Sequence, residues 1–193
     1  MKTTSPDRAK YFSLFTPIRW IEETSSTNSA ALELARKENL DSVILAADHQ
    51  TAGRGQFGRS WVSKPKENLL FSLYFKPRMK PSEASVVTQL ACAAVVETLS
   101  SYQIACEVKK PNDVLIRGKK ICGILTESSS KKENLEYIVV GIGLNVNSSP
   151  DTLIPEATSM KIEKQTVYNR PEILNRLIAF FETQLQNYFH EKN

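Results

Sequence analysis

The chain has 193 residues, 41% of them hydrophobic and 24% charged, which is apolar mass for one sizeable core rather than several. Its 25 Lys and Arg against 21 Asp and Glu give a net charge of +4 spread along the chain, a balance that argues against a nucleic-acid or membrane-surface binder. The three cysteines, Cys92, Cys106 and Cys122, form no CxxC pair and have only His49 and His190 beside them, so reduced thiols in a cytoplasm are expected and a zinc site is not.

Residues 1 to 18 read as a loosely specified lead-in that carries Asp7, Arg8 and Lys10 and no apolar run. No later stretch approaches the roughly 18 apolar residues of a membrane span. Ile18 to Ile21 begins a strand, and Thr24-Ser25-Ser26-Thr27-Asn28 before Ala30, Ala31, Leu32, Leu34 and Ala35 is written like a helix start. The free N–H groups and hydroxyls of such a start can also hold a polar ligand. Val43 to Asp48 and Leu69 to Phe75 read as buried strands on either side of a glycine loop. Val87, Leu90, Ala91, Ala94, Val95 and Leu99 recur at helical spacing and predict a core helix from about Ser82. Three strand-like runs follow, at Ala105 to Val108, at Val114 to Leu125 with a bend at Arg117-Gly118, and at Leu135 to Val146. A final amphipathic helix opens at Pro171 and carries Leu174, Leu177, Ile178, Phe181, Leu185 and Tyr188. Strands grouped without regular βαβ alternation, packed by three helices, predict an α+β fold with a mixed sheet.

Three segments carry residues that a core does not need. Only seven glycines occur, and three fall in Gly53-Arg54-Gly55-Gln56-Phe57-Gly58-Arg59, where two arginines suggest an anion. A dinucleotide site would require the third glycine to open a helix, but another strand follows; a kinase would require downstream VAIK, HRD and DFG motifs, which are missing. The second segment is Lys109-Lys110-Pro111-Asn112-Asp113 followed by Lys120-Ile121-Cys122-Gly123-Ile124-Leu125. Two turns around a strand account for its Pro and Asn but not for Lys120 near Gly123, where a cation beside a bare position could meet a phosphate or carboxylate. Strand alternation puts Lys120 and Gly123 on opposite faces, so both line one site only if the strand begins late or bulges near Gly123. In the third segment, Gly141-Ile142-Gly143-Leu144-Asn145, alternation leaves one face without side chains. Either a ligand lies on that face or a helix packs tightly over it.

In this order and spacing, Gln50-Thr51-Ala52-Gly53-Arg54-Gly55-Gln56-Phe57-Gly58-Arg59-Ser60-Trp61, Pro111-Asn112-Asp113, Lys120 to Leu125 and Gly141 to Asn145 resemble the catalytic module of the biotin protein ligase family. The resemblance runs from about Ser26 to the last helix. It implies a biotin/lipoate ligase catalytic fold, a mixed sheet of the class II aminoacyl-tRNA synthetase-like type, over residues 1–193 as one domain. Neither an N-terminal DNA-binding domain nor a C-terminal β-barrel is expected, and no repressor activity with them.

The implied activity is ATP-dependent. Biotin becomes biotinyl-5′-AMP with release of pyrophosphate, and a lysine of a biotin carboxyl carrier protein then takes the biotinyl group. Lipoate or octanoate transfer on the same fold and a non-catalytic binding module are the alternatives. Carried over by position, Ser26, Thr27, Gln50, Gly53, Arg54, Trp61, Gly123, Gly141 and Gly143 would bind biotin. Gly55, Gln56, Arg59, Asn112, Lys120 and Asn145 would bind the nucleotide. Lys120, Asp113 and Arg54 would be catalytic, with Asp113 and Asn145 as Mg²⁺ ligands. ATP, biotin and Mg²⁺ are the implied small molecules, and the resemblance allows a monomer or a homodimer. Two positions depart from the family pattern. Gln56 stands where an arginine that helps retain the adenylate is usual, and Lys110 replaces a tryptophan before Pro-Asn-Asp.

Overall fold

In the computed structural model, which describes residues 18–190, seven strands form one sheet in the order β1-β2-β3-β7-β6-β5-β4. They are β1 (Ile18–Thr24), β2 (Ser42–Gln50), β3 (Leu69–Phe75), β4 (Glu107–Lys109), β5 (Asp113–Ile116), β6 (Lys119–Lys131) and β7 (Asn134–Leu144). β1 and β2 run parallel through a helical connection and every other pair is antiparallel, so the expected mixed sheet is present. The expectation for residues 1 to 18 lies outside the described residues except at Ile18. Several boundaries differ from the sequence reading, among them the end of β6, which runs on to Lys131 past the expected Leu125. β4 begins two residues later than Ala105, the run from Val114 divides into β5 and β6 at Arg117-Gly118, and the helix expected from Ser82 is preceded by a 3-10 turn at Pro81–Glu83. Arg117 and Gly118 have φ of 48° and 78°, the left-handed pair that a two-residue hairpin turn requires.

The helices are α1 (Thr27–Lys37), α2 (Ala84–Ser101), α3 (Met160–Lys164) and α4 (Arg170–His190). The five-residue α3 was not legible in the sequence because it is too short to show a period. Its start is capped by the Ser159 hydroxyl, which accepts the Ile162 N–H at 3.2 Å. α2 and its 3-10 lead have the length and apolar character of a membrane span, contrary to expectation. Its Val87, Ala91, Cys92, Ala94, Val95, Thr98 and Leu99 are buried, as in a core helix.

Alternation decides which side chains meet which helices. Ile44 and Ala46 of β2, Phe71, Leu73 and Phe75 of β3 and Val140, Ile142 and Leu144 of β7 enter the main core with α2 and α4. Val43, Leu45, Tyr74 and Val139 point the other way and form a smaller core with Ala31 and Ala35 of α1. α1 is only 11 residues long and leaves part of this second face uncovered. Ser72, Gly141 and Gly143 lie on that face by register, Ser72 pairing with Gly141 and Leu70 with Gly143. The functional cavity lies there.

Away from the cavity, Asp48 ties β2 to β1 and α4. Its Oδ1 accepts the Trp20 indole N–H at 2.9 Å and an Arg170 N–H at 2.8 Å. Burial raises the Asp48 pKa, but these two bonds and the Arg170 charge outweigh it and hold the carboxyl below its usual range.

Candidate active site

A cavity of about 530 Å³ opens over the uncovered face, within the size range of small-molecule sites. Its walls come from the start of α1, the glycine loop, the β5–β6 hairpin, β7 and a loop at residues 151–157. Every candidate residue from the sequence lines it except Gly53.

Gly53 stands behind the wall. A Cβ there would lie 2.4 Å from the Trp61 carbonyl oxygen, and the Trp61 N–H donates to Gly53 O at 2.9 Å. The bare position lets the two arms of the loop meet. Gly58 supplies the reversal with φ +73°, beside Phe57 at φ 57°. Arg54, expected to be catalytic and to bind biotin, lines the cavity, and its guanidinium donates to Glu127 at 2.9 Å and to the Ser29 hydroxyl at 3.3 Å, which ties the loop to β6 and α1. Arg59 is exposed at the mouth, where its Nε donates to Gln56 O at 3.2 Å and its guanidinium lies over the Phe57 ring.

The register of the β5–β6 hairpin meets the condition set by Lys120 and Gly123. Val114 pairs with Cys122 and Leu115 with Lys120, leaving Ile121 as the extra residue of a bulge. The bulge turns Lys120 onto the face of Gly123, where an added Cβ would be 3.0 Å from the lysine Nζ and from the Trp61 ring. Lys120 is bonded to Asp113 at 2.6 Å and its ammonium stands 5.6 Å from the Trp61 ring centre. Its backbone is fixed from the other side, because the Lys120 N–H donates to Glu156 O at 2.7 Å and the Thr158 N–H donates to Lys120 O at 2.9 Å.

Side chains of the protein already use the bare face of β7. A Cβ on Gly141 would fall 2.2 Å from Asn28 Oδ1, and one on Gly143 would fall 2.6 Å from the Trp61 indole. The two alternatives for this segment therefore combine, with α1 packed at Gly141 and the cavity bounded by Trp61 at Gly143. The Trp61 indole N–H is buried beside Gly143 and has no hydrogen-bond partner.

Two asparagines act as braces. Asn112 donates to Ile124 O at 2.7 Å, and its own carbonyl accepts the Ile124 N–H at 2.9 Å. Asn145 donates to Thr158 O at 3.0 Å and accepts from Asn68 at 3.3 Å. The Mg²⁺ pair expected at Asp113 and Asn145 does not fit this geometry, since Lys120 engages the carboxylate and Asn145 is turned into the framework. Among the described residues no cluster of three or more His, Cys, Asp or Glu could hold a metal ion.

The end of the cavity beneath α1 is polar and preformed. Gln50 Oε1 accepts the Thr27 backbone N–H at 2.7 Å and lies 3.0 Å from the Thr27 hydroxyl, with Ser26 alongside. Asn28, Ser72 and Glu127 extend this network and were not on the sequence list. Ser72 had a signal, being the lone polar residue of Leu-Leu-Phe-Ser-Leu-Tyr-Phe; Glu127 had none. A thiol route has no support here. None of the cysteines lines the cavity, and burial pushes the Cys92 pKa up to about 11 and that of Cys122 well above the usual value.

Residues 20–145 match the model of the biotin/lipoate A/B protein ligase family. The bifunctional ligase/repressor BirA of Bacillus spizizenii is 34% identical over 169 residues, covering 85% of this chain and 52% of that protein. The biotin–[acetyl-CoA-carboxylase] ligase of Mycobacterium tuberculosis is 33% identical over 171 residues, covering 86% of this chain and 62% of that one. Among solved structures, the biotin protein ligase from Aquifex aeolicus in complex with biotin and ATP superposes with a TM-score of 0.71 at 29% identity, covering 90% of this chain and 72% of that one. The chain spans about half the length of the Bacillus relative it matches.

Proposed function

Since this chain belongs to the biotin/lipoate A/B protein ligase family, we propose that it activates biotin with ATP and passes the biotinyl group to a lysine of a carboxylase carrier protein. The observation that carries this reading is the division of one cavity into a buried polar end at Thr27 and Gln50, an apolar middle at Trp61, Gly123 and Gly143, and a charged end at Lys120, Asp113 and Arg59. A cyclic urea with two N–H donors and one carbonyl matches the first. The thioether ring and alkyl chain match the second, and a carboxylate meeting a triphosphate matches the third.

In the first step a biotin carboxylate oxygen attacks the α-phosphorus of ATP. The bond to the β-phosphate oxygen breaks, giving biotinyl-5′-AMP and pyrophosphate. Both reactants are anions, so the step needs fixed cations where charge builds up. Lys120 is held for this by Asp113 and the Trp61 face, and Arg59 stands at the mouth. In the second step the acceptor lysine nitrogen attacks the acyl carbon, the carbon–oxygen bond to AMP breaks, and the amine gives up a proton to Asp113 and from there to solvent. Asp113 is the carboxylate placed to orient that amine once Lys120 turns to the phosphate. No step is assigned to a protein-held Mg²⁺. We place the reaction in the cytoplasm, where three unpaired cysteines remain reduced.

ATP–pyrophosphate exchange with biotin, lipoate and octanoate compared side by side tests the reading. Exchange that depends on biotin is expected. Exchange with lipoate or octanoate but not with biotin moves the activity to the other branch of the family, and exchange with none ends the reading.

A further inference from the structure

We infer that Ser72, held by Asn28, is a positioning residue that fixes the Thr27 hydroxyl as an acceptor toward the cavity, so that the head-group end selects a ligand presenting an N–H over one presenting a ring oxygen. This rests on the reading of the cavity as a biotin site.

Ser72 is fully buried, on the sheet face beneath α1. Its Oγ lies 2.6 Å from Asn28 Oδ1 and 2.7 Å from Thr27 Oγ1, and Thr27 Oγ1 lies 3.0 Å from Gln50 Oε1. These three oxygen–oxygen contacts have two hydroxyl protons between them. The orientation of Asn28 decides how the protons are shared. Its Nδ2 donates to Leu125 O at 3.1 Å and to Glu127 Oε2 at 2.7 Å, two atoms that can only accept, so Oδ1 faces Ser72.

Asn28 Oδ1 is buried and at the shortest of the three separations, so it takes the Ser72 proton. Ser72 then has only lone pairs for Thr27, and the Thr27 proton points back to Ser72. The contact left without a proton is the longest, between Thr27 Oγ1 and Gln50 Oε1, and the latter already accepts the Thr27 backbone N–H at 2.7 Å. Lone pairs of two oxygens therefore stand side by side at the cavity wall. A ligand N–H settles between them, whereas a ligand oxygen meets a third set of lone pairs. Gly141 belongs to the same device, because only a residue without Cβ leaves room for the Asn28 carboxamide beside Ser72.

The test compares biotin with its cyclic carbonate analogue, in which ring oxygens replace both N–H groups, by calorimetric binding and by pyrophosphate exchange. The wild-type protein is expected to prefer the urea by about 100-fold, the scale of losing paired hydrogen bonds in a buried polar site. Equal affinity of the wild-type protein for the two ligands overturns the inference without any variant. Ser72→Ala frees the Thr27 proton, and Asn28→Ala lets Ser72 donate to Thr27 instead. Each is expected to cut the preference by about tenfold, the value of roughly one hydrogen bond. A merely structural role would weaken both ligands alike and leave their ratio unchanged, which overturns the inference for folded variants. Absence of biotin-dependent exchange in the wild-type protein would sink the functional reading itself, a different outcome from normal exchange with no urea preference.

Discussion

At one end of the cavity Thr27, Asn28 and Ser72 are 4%, 4% and 0% exposed, with polar atoms joined in a network that includes Gln50 and Glu127; at the other, Arg59 is exposed and Gln56 half-buried on a loop. The buried end is assembled from α1, β2, β3 and β6, so its geometry is set by the sheet before any ligand arrives. The open end is held by the Lys120–Asp113 ion pair and the contacts of a short loop that Arg54 ties to Glu127. The difference suits what each end would recognise under the proposed function. A neutral head group gives little binding energy unless its few hydrogen bonds are preformed in a desolvated place. A triphosphate brings its own strong charge and needs cations that can exchange partners.

The largest expected effect comes from removing the cation of the open end. Lys120→Ala should slow adenylate formation by about 100-fold or more, the scale of losing a charged group at a developing anion. Its melting temperature should stay close to that of the wild-type protein, because the Lys120 side chain is a third exposed and its bond to Asp113 is partly solvated. Near-normal single-turnover rates would remove Lys120 from the chemistry and leave Arg59 as the remaining cation of that end.

The buried end should fail differently. Gly141→Ala puts a methyl group 2.2 Å from Asn28 Oδ1, so the carboxamide must leave its bonds to Ser72, Leu125 and Glu127. We expect a loss of about 1–3 kcal/mol in denaturant unfolding and a weaker hold on biotin, with less effect on the rate once biotin is bound. A fall in kcat with unchanged KM would show that the two ends are not separable.

This contrast also explains what was legible in the sequence. The strands β2 and β3 were readable as nearly unbroken apolar runs, β7 by its alternation, and the helices α2 and α4 by apolar residues recurring at helical spacing. The loop motif and Lys120 stood out because sparse glycines and a lysine beside an apolar run have no packing reason to be there. Asn28 and Glu127 could not be found that way: one looked like part of a helix start and the other like an ordinary strand glutamate. Their roles arise only when β6 is laid beside β7 and α1 is packed at Gly141, a contact between residues 99 apart in the chain. Arg54 and Asn145 line the cavity as expected, but residue type alone did not reveal their protein partners, Glu127 for Arg54 and Thr158 for Asn145.

The smallest expected effect concerns Gln56, which lines the cavity on the same short 3-10 turn as Phe57 and Gly58. Its carbonyl oxygen accepts from Arg59 Nε at 3.2 Å, so the backbone already orients one cation at the mouth while its neutral side chain adds none. Gln56→Arg adds a guanidinium on an exposed loop, where a charge-assisted bond to a phosphate is screened by solvent and gains about 1 kcal/mol, or roughly fivefold. The lifetime of bound adenylate, followed by chase with unlabelled biotin after a single turnover, should lengthen by that factor at low salt and by less at high salt. Salt-independent lengthening would point to loop packing rather than charge. An unchanged lifetime would mean that the buried end alone retains the intermediate, leaving the open end to govern only its formation.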